Sequence, residues 1–132
     1  MNQKLATFGL LVFLGAVPAF SQDAAKLEGM LDNALKAYNA QDAKAFYADY
    51  AKSLAGIATD QAFNTMYKDG YMKDLGKFVS KTMVKEKSVV TGDFPLMVFN
   101  AKFDKNEKVT LSCNFTKEDG NFKIMQIRFD KQ

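Results

Sequence analysis

The chain has 132 residues, of which 48% are hydrophobic and 25% charged, and its formal net charge of +3 is too small and too evenly spread to indicate nucleic-acid binding. It contains no histidine, which excludes histidine–aspartate dyads, serine-type triads and most zinc sites, and no metal or cofactor is expected. Its single cysteine, Cys113, cannot form an internal disulfide, so a hydrophobic core must hold the fold together.

The first residues have the pattern of a secretory signal peptide. Lys4 gives a positive start, residues 8–17 are almost wholly apolar, and small residues precede a cleavage position after Ser21. The apolar run is shorter than the roughly 20 residues that a membrane-spanning helix needs. We therefore expect a signal peptide over residues 1–21 and one exported domain over residues 22–132, periplasmic or extracellular, without stable membrane insertion. The alternatives are a buried core helix and an uncleaved anchor.

Three helices are predicted in the first half of the domain. Asp23 is the predicted N-cap of the first helix, Asp42 that of a second over residues 43–55, and Thr59 that of a third. Gly70 lies inside the third helix, where it costs about 1 kcal/mol and predicts a break or a bend. The three apolar stripes consist of Leu27, Met30, Leu31, Ala34, Leu35 and Tyr38; of Ala43, Phe46, Tyr50 and Leu54; and of Phe63, Met66, Tyr67, Gly70 and Tyr71.

The second half is predicted to form four strands, because β-branched and aromatic residues alternate with polar ones between turn sequences. The connections are short, so neighbouring strands should be antiparallel. Three helices followed by such a meander predict an α+β fold, with the helices packed on one face of a four-stranded antiparallel sheet. The predicted strands cover residues 77–90, 95–104, 108–117 and 122–130.

The third strand has the clearest alternation. Its inward residues are predicted to be Val109, Leu111, Cys113 and Phe115. A three-residue loop that pairs Asp104 with Lys108 gives the second strand an apolar inner face, with Phe103 opposite Val109 and Phe99 opposite Cys113. A two-residue loop would instead bury Asn100 and Lys102, so the longer loop is predicted.

The fourth strand carries two conflicting signals. The Asp-Gly turn at residues 119–120 favours a two-residue loop, which would turn Ile124, Gln126 and Arg128 inward. A loop one residue longer would instead turn Met125, Ile127 and Phe129 inward, and burial of such side chains is worth roughly 1.5–3 kcal/mol each. Burial should prevail, so Arg128 is expected to point outward, although a bulge could send part of the strand each way. An inward Arg128 beside Gln126 would suit an anionic ligand group.

The segments "YNAQDAKAFYADY", "DLGKF" and "GNFKIMQIRF" resemble the nuclear-transport-factor-2-like superfamily, also called cystatin-like, and most of all its small secreted bacterial domains without an assigned function. The resemblance covers most of residues 23–130. It implies a curved sheet wrapped around helices as a cone with an apolar cavity. Members use this cavity as an isomerase or dehydratase site, as a ligand pocket or merely as a core, and dimers through the outer sheet face are common.

One catalytic arrangement of these relatives needs no histidine, namely an aspartate base with a tyrosine as oxyanion donor. The residue types are present here, but Asp49 is predicted on a solvated helix face and the tyrosines lie on apolar stripes, so no acid–base set converges and catalysis is not expected. Cys113 is predicted to be an inert core thiol, and Lys81, Lys85 and Lys87 a solvated strand edge. The tyrosines and aspartates considered for the catalytic arrangement are Tyr47, Asp49, Tyr50, Tyr67, Tyr71 and Asp74.

Three functions remain open at this point. The favoured one is an exported, non-catalytic interaction domain that forms a homodimer, or binds an envelope protein, through the outer sheet face while large side chains fill the cavity. The second is binding of a small apolar or anionic ligand in the cavity, and the third is an isomerase-like enzyme. The inward side chains that would fill the cavity are Phe99, Phe103, Phe115, Phe129, Met97 and Met125, and the candidate residues at its mouth are Tyr50, Tyr67, Tyr71, Gln126 and Arg128.

Overall fold

The computed structural model describes the backbone of residues 19–132 and the side chains from residue 23 onward. The predicted signal peptide, residues 1–21, lies outside the part whose side chains are described, and it stays a prediction. The helices are α1 (Ala19–Ala40), α2 (Ala43–Phe46) and α3 (residues 60–75), with short 3-10 turns at Lys52–Leu54 and Lys85–Lys87. The strands are β1 (Phe78–Met83), β2 (Leu96–Phe103), β3 (Asn106–Glu118) and β4 (Asn121–Lys131).

The predicted α+β class and the antiparallel meander are confirmed. The four strands form one sheet in the order β1-β2-β3-β4, and every neighbouring pair is antiparallel. The buried side chains of α1, α2 and α3 and those of one sheet face form a single hydrophobic core. The opposite, outer face of the sheet carries mainly polar side chains, such as Asn100, Lys102, Thr110 and Ser112.

Helix α1 buries the predicted stripe, in which only Met30 is partly exposed. The described part of the helix already includes Ala19, so Asp23 lies inside it and the predicted N-cap is wrong. At the other end, the Asn39 carboxamide accepts from the Phe78 N–H at 2.8 Å and donates to the Phe78 carbonyl at 2.9 Å. This pair of bonds imitates a neighbouring strand, and it ties α1 to the free edge of β1.

The second predicted helix is much shorter than expected. Asp42 does cap it, accepting from the Ala45 N–H at 3.1 Å, but α2 ends at Phe46 rather than near residue 55. The chain then pairs with β4, because the Ile124 N–H donates to the Asp49 carbonyl at 2.8 Å and the Ala51 N–H donates to the Ile124 carbonyl at 2.9 Å. The helix therefore does not continue, because the backbone of residues 49–51 forms hydrogen bonds with the edge of β4 in place of helical ones.

Helix α3 begins as predicted, with Thr59 accepting from the Ala62 N–H at 3.1 Å. It does not break at Gly70. Instead, the stretch Asn64–Met72 is π-helical, so its hydrogen bonds span one residue more than in an α-helix. The helix returns to α geometry at Lys73–Leu75 and ends at Gly76, which has a positive φ of 79°.

The inward face of β3 is confirmed, but its predicted pairing with β2 is wrong. The turn has two residues, with Phe103 opposite Asn106, so Phe99 pairs with Leu111 rather than with Cys113. A bulge beside this turn corrects the faces by giving β3 one extra residue between Asn106 and Val109. Burial thus selects the side that each residue faces, and the extra residue in the bulge compensates for a loop that is one residue shorter than predicted.

A second bulge, in β4, allows this strand to have both the two-residue turn and the buried apolar side chains that the sequence favours. The Asp119–Gly120 turn has two residues with positive φ angles of 53° and 80°, and Ile124 faces inward as this turn requires. An extra residue, Met125, then shifts the register, and the buried residues beyond it are Ile127 and Phe129. Arg128 points outward as predicted, but Met125 does not face the core and is 41% exposed.

Strand β1 is shorter than predicted and holds one unexpected lysine. It ends at Met83 rather than near residue 90. The side chain of Lys81 is only 9% exposed, so its predicted place on a solvated edge is wrong. Its ammonium lies between Glu28 and Asp32 of α1, at 2.9 Å from an Asp32 carboxylate oxygen, and 4.6 Å from the centre of the Phe99 ring.

Candidate functional site

One opening is lined both by the helical half of the described residues and by the sheet. It is a cavity of about 580 Å³ that is open to solvent, and we call it the apolar groove. Its volume lies within the roughly 300–1,000 Å³ that small-molecule sites occupy. The helical half contributes Tyr47, Tyr50, Leu54, Ile57, Ala58, Ala62, Met66 and Tyr67. The sheet and the loop before β2 contribute Phe94, Asn114, Phe115, Met125 and Gln126.

Exposed apolar side chains are concentrated at the apolar groove. Six large hydrophobic side chains of the described residues are exposed, and four of them line this opening. The two outside it are Val79 and Val89. Such clustering differs from the single scattered apolar residues of an ordinary surface and marks a place where another molecule binds. The four lining residues are Ile57 (69% exposed), Met66 (51%), Phe94 (72%) and Met125 (41%).

Two irregularities of the backbone place side chains in the apolar groove. The bulge in β4 takes Met125 out of the core and sets Gln126 at the rim. The π-helical stretch of α3 carries Met66 and Tyr67 on the opposite wall. Bulges and π-helical turns both occur frequently at functional sites, where they redirect a side chain.

The outer wall of the groove is held by one carboxylate. Glu118, at the end of β3, accepts from the backbone N–H groups of Lys52 and Ser53 at 2.7 and 3.1 Å. The bond from the Lys52 N–H is the main reason that the pKa of Glu118 lies below its usual range. These bonds fix the 3-10 turn that ends with Leu54, and both Leu54 and Ile57, which follows the turn, line the groove.

The tyrosines at the base of the groove are neutral hydrogen-bonding groups. The Tyr67 hydroxyl donates to the Ile127 carbonyl at 2.7 Å. Burial raises the pKa values of Tyr50 and Tyr67 far above the usual range. Both phenols therefore stay protonated at physiological pH.

No family model matches this chain, and neither does any curated protein or any solved structure. The site is therefore interpreted from its own chemistry.

The structure brings together three of the five residues that the sequence placed at a cavity mouth. Tyr50, Tyr67 and Gln126 line the apolar groove. Tyr71 does not, because it packs on the Phe129 ring in the core at 4.8 Å between ring centres. Arg128 does not either, because it lies on the outer face and forms an ion pair with Asp130 at 3.3 Å.

Sequence reasoning missed Ile57, Phe94 and Met125. Phe94 stands in the turn sequence "TGDFP", where a large aromatic residue among turn formers is itself a signal of an exposed binding residue. Ile57 follows Gly56 outside any predicted stripe and carries a similar but weaker signal. Met125 could not be found in this way, because its exposure depends on the bulge.

The carboxylates considered for catalysis do not meet at the groove. Asp74 forms an ion pair with Lys131 at 3.0 Å, and Asp49 contributes only its backbone carbonyl to the contact with β4. Among the described residues, no charged side chain lines the groove and no group of three acidic, cysteine or histidine side chains could hold a metal ion. The arrangement can thus enclose an apolar molecule and offer it neutral hydrogen bonds.

Cys113 is fully buried, as expected, and burial raises its pKa well above the usual range. Within the described part of the chain, no helix is both long enough and apolar enough to cross a membrane.

Proposed function

We propose that this protein is a non-catalytic binding domain whose apolar groove takes a small apolar molecule. The observation that carries the proposal is the clustering of four exposed large apolar side chains around one opening of about 580 Å³. Exposure of these side chains costs free energy in the unbound protein, at roughly 25 cal/mol per Å² of apolar surface. A ligand that covers them recovers this free energy.

Binding rather than catalysis is favoured by the chemistry of the lining. The phenols of Tyr50 and Tyr67 are held neutral by burial, and Tyr67 is already engaged by the Ile127 carbonyl. A general base needs a group that exchanges protons near the working pH and within hydrogen-bond reach of the substrate. The lining side chains of the described residues include no carboxylate that could serve.

Three expectations from the sequence accompany this proposal. The first is export by the signal peptide over residues 1–21. The second is a nuclear-transport-factor-2-like cone, which is supported by the helices on one sheet face and by the bulges that curve the strands. The third is self-association through the outer sheet face, which ranks lower because that face is mainly polar, whereas four of the six exposed large apolar side chains of the described residues line the groove.

A dye-binding titration tests the proposed function. The neutral dye N-phenyl-1-naphthylamine fluoresces strongly in apolar sites, and we expect one saturable binding site. Met66→Gln and Met125→Gln each remove apolar contact worth about 1 kcal/mol, so each should weaken the dye roughly five-fold. Both side chains are partly solvated, and these variants should therefore fold.

The matched controls are Val79→Gln and Val89→Gln, which also replace exposed apolar residues but lie outside the groove. We expect neither control to change dye binding. The proposal is wrong if the dye shows no saturable binding, or if the controls weaken it as much as the groove variants do.

A further inference from the structure

The polar atoms of the apolar groove are all uncharged among the described residues. They belong to the phenols of Tyr47, Tyr50 and Tyr67 and to the carboxamides of Asn114 and Gln126. A charged group that enters such a site gives up part of its hydration and meets no partner of opposite charge, which is unfavourable. Neutral polar groups meet no such penalty.

The two carboxamides form a pair at the rim. Asn114 of β3 lies directly opposite Gln126 of β4, immediately beside the bulge at Met125. Side chains that oppose each other in an antiparallel pair share a face and lie about 5 Å apart. The side-chain hydrogen bonds of the described residues engage neither carboxamide, in contrast to that of Asn39, which is bonded to Phe78. The pair is therefore available to a ligand.

Each carboxamide carries both donors and an acceptor. A ligand head that also donates and accepts, such as an amide or an alcohol, can satisfy both kinds of atom. A carboxylate offers acceptors only, and an ammonium group offers donors only. The pair therefore matches an uncharged head best.

The charged side chains nearest to this rim along the two strands are Lys117, Lys123 and Arg128, and none of them lines the groove. Arg128, two residues beyond Gln126, binds Asp130 at 3.3 Å, and Lys117 lies 3.7 Å from Asp93. Burial and, to a smaller extent, the charge of Asp60 raise the pKa of the Tyr47 phenol, but Asp60 is exposed and does not line the groove either.

We propose that the ligand of the apolar groove is an uncharged amphiphile, whose apolar body covers Met66, Phe94 and Met125 while its neutral polar head binds the Asn114–Gln126 pair. This inference rests on the proposed function, because it names the chemical class that the same groove accepts. It differs from the anionic ligand that an inward Arg128 would have suited.

Displacement of N-phenyl-1-naphthylamine by ligands of one chain length tests the inference. The series is dodecanamide, dodecanol, dodecanoate and dodecylammonium, all used below the concentrations at which they form micelles. We expect the two neutral compounds to displace the dye at concentrations at least ten-fold lower than either ion. Equal displacement by dodecanoate or by dodecylammonium overturns the inference.

A pair of double variants tests the role of the carboxamides. Asn114→Leu with Gln126→Met removes the polar atoms and keeps the size of both side chains. We expect this double variant to lose at least five-fold in affinity for dodecanamide relative to its affinity for the dye. The control is Ser112→Ala with Arg128→Met, which alters the neighbouring opposed pair of the same strands, outside the groove. The inference is overturned if both double variants lose the same relative affinity for dodecanamide, or if neither of them loses any.

The outcomes separate this inference from the function on which it rests. If the dye itself does not bind, the proposed function fails. If the dye binds but the head group makes no difference, only the inference fails. If dodecanoate binds best and Arg128→Met abolishes its binding, the anionic ligand is the correct one.

Discussion

Glu118 shows how one residue can control a binding wall from outside. Its carboxylate is exposed to solvent, yet it holds the N–H groups of Lys52 and Ser53 and so fixes the segment that carries Leu54 and Ile57. Charge-assisted hydrogen bonds to backbone N–H groups are among the stronger ones in proteins. The wall therefore depends on the ionised state of this residue.

We predict that Glu118→Gln lowers both the melting temperature and the affinity of the apolar groove for the dye. The folded protein holds the pKa of Glu118 below its usual value of 4.5, so the carboxylate stabilises the fold above that pH. As the pH falls through the lowered pKa, this contribution disappears. Melting curves of both proteins should differ at pH 7 and converge at the acidic end, where Glu118 is protonated.

The control is Glu107→Gln, which removes an exposed carboxylate near the opposite end of β3. We expect this variant to leave dye binding unchanged. A difference between the wild type and Glu118→Gln that stays constant down to acid pH would contradict the role of the carboxylate charge.

Lys81 illustrates what a single position in a sequence does not reveal. Its strand alternates as a solvated edge would, and lysine is normally exposed. In the structure, however, its ammonium lies over the Phe99 ring and meets Glu28 and Asp32, which are four residues apart on α1. Only the packing of α1 across β1 brings these groups together, and no local pattern encodes that packing.

At the scale of elements, the sequence predicted which side each residue faces better than which residue it pairs with. The inward face of β3 and the outward direction of Arg128 are confirmed, because burial of apolar side chains sets the face. The pairing with β2 and the direction of Met125 are wrong, because each depends on a bulge. A bulge reconciles a preferred turn with a preferred face, so either signal alone predicts the wrong register.

The length of the second helix was predicted wrongly for a related reason. Its periodicity is helical, but Ile124 at the edge of β4 needs backbone partners and obtains them from residues 49–51. Local propensity is a weak term beside two buried backbone hydrogen bonds. The apolar groove could not be predicted for the same reason, since its outer wall consists of the segment that left the helix.

Three glycines at the ends of helices and strands should differ in how strongly an alanine substitution destabilises the fold. Gly76, at the end of α3, has φ 79° and ψ −158°, a conformation that is essentially restricted to glycine, and an added Cβ would lie 2.8 Å from the Cβ of Asp104. Gly120 also has a positive φ of 80°, but open space surrounds it. Gly56 has open space and no positive φ.

We therefore predict that Gly76→Ala costs about 3 kcal/mol or more, since strain and overlap add. Gly120→Ala should cost about 1–2 kcal/mol from the left-handed backbone alone. Gly56→Ala should stay within about 0.5 kcal/mol of the wild type. Denaturant unfolding measures all three, and a different order would mean that the backbone at these turns differs from the one described.

At the scale of the whole molecule, the order of elements was enough to predict the fold class. Helices followed by a meander with short connections leave few ways to bury the apolar faces, and the structure uses one of them. The groove is a property of the assembled molecule, because its lining comes from three separate regions: residues 47–58, α3, and the sheet with the loop before β2. The sequence predicted Tyr50, Tyr67 and Gln126 as parts of a cavity mouth, but not the other lining residues or the location of the groove.

Cys113 offers a probe of the whole molecule. It is fully buried in the interior strand β3, between Met97 of β2 and Ile127 of β4. A thiol reagent can reach it only when the sheet separates from the helices. We predict that its reaction with a disulfide reagent such as dithiobisnitrobenzoate follows global unfolding, so that the labelling rate rises with denaturant in parallel with the unfolding equilibrium.

A ligand of the apolar groove should then slow this labelling without touching the thiol, because a molecule that binds only the folded state stabilises it by mass action. At a free dye concentration of about 100 times its Kd, we expect labelling to slow by about 100-fold. The Met66→Gln with Met125→Gln double variant, which binds the dye weakly, should lose most of this protection. Labelling that is rapid in the absence of denaturant and insensitive to the dye would show instead that β3 opens locally, and that the sheet and the groove do not unfold as one unit.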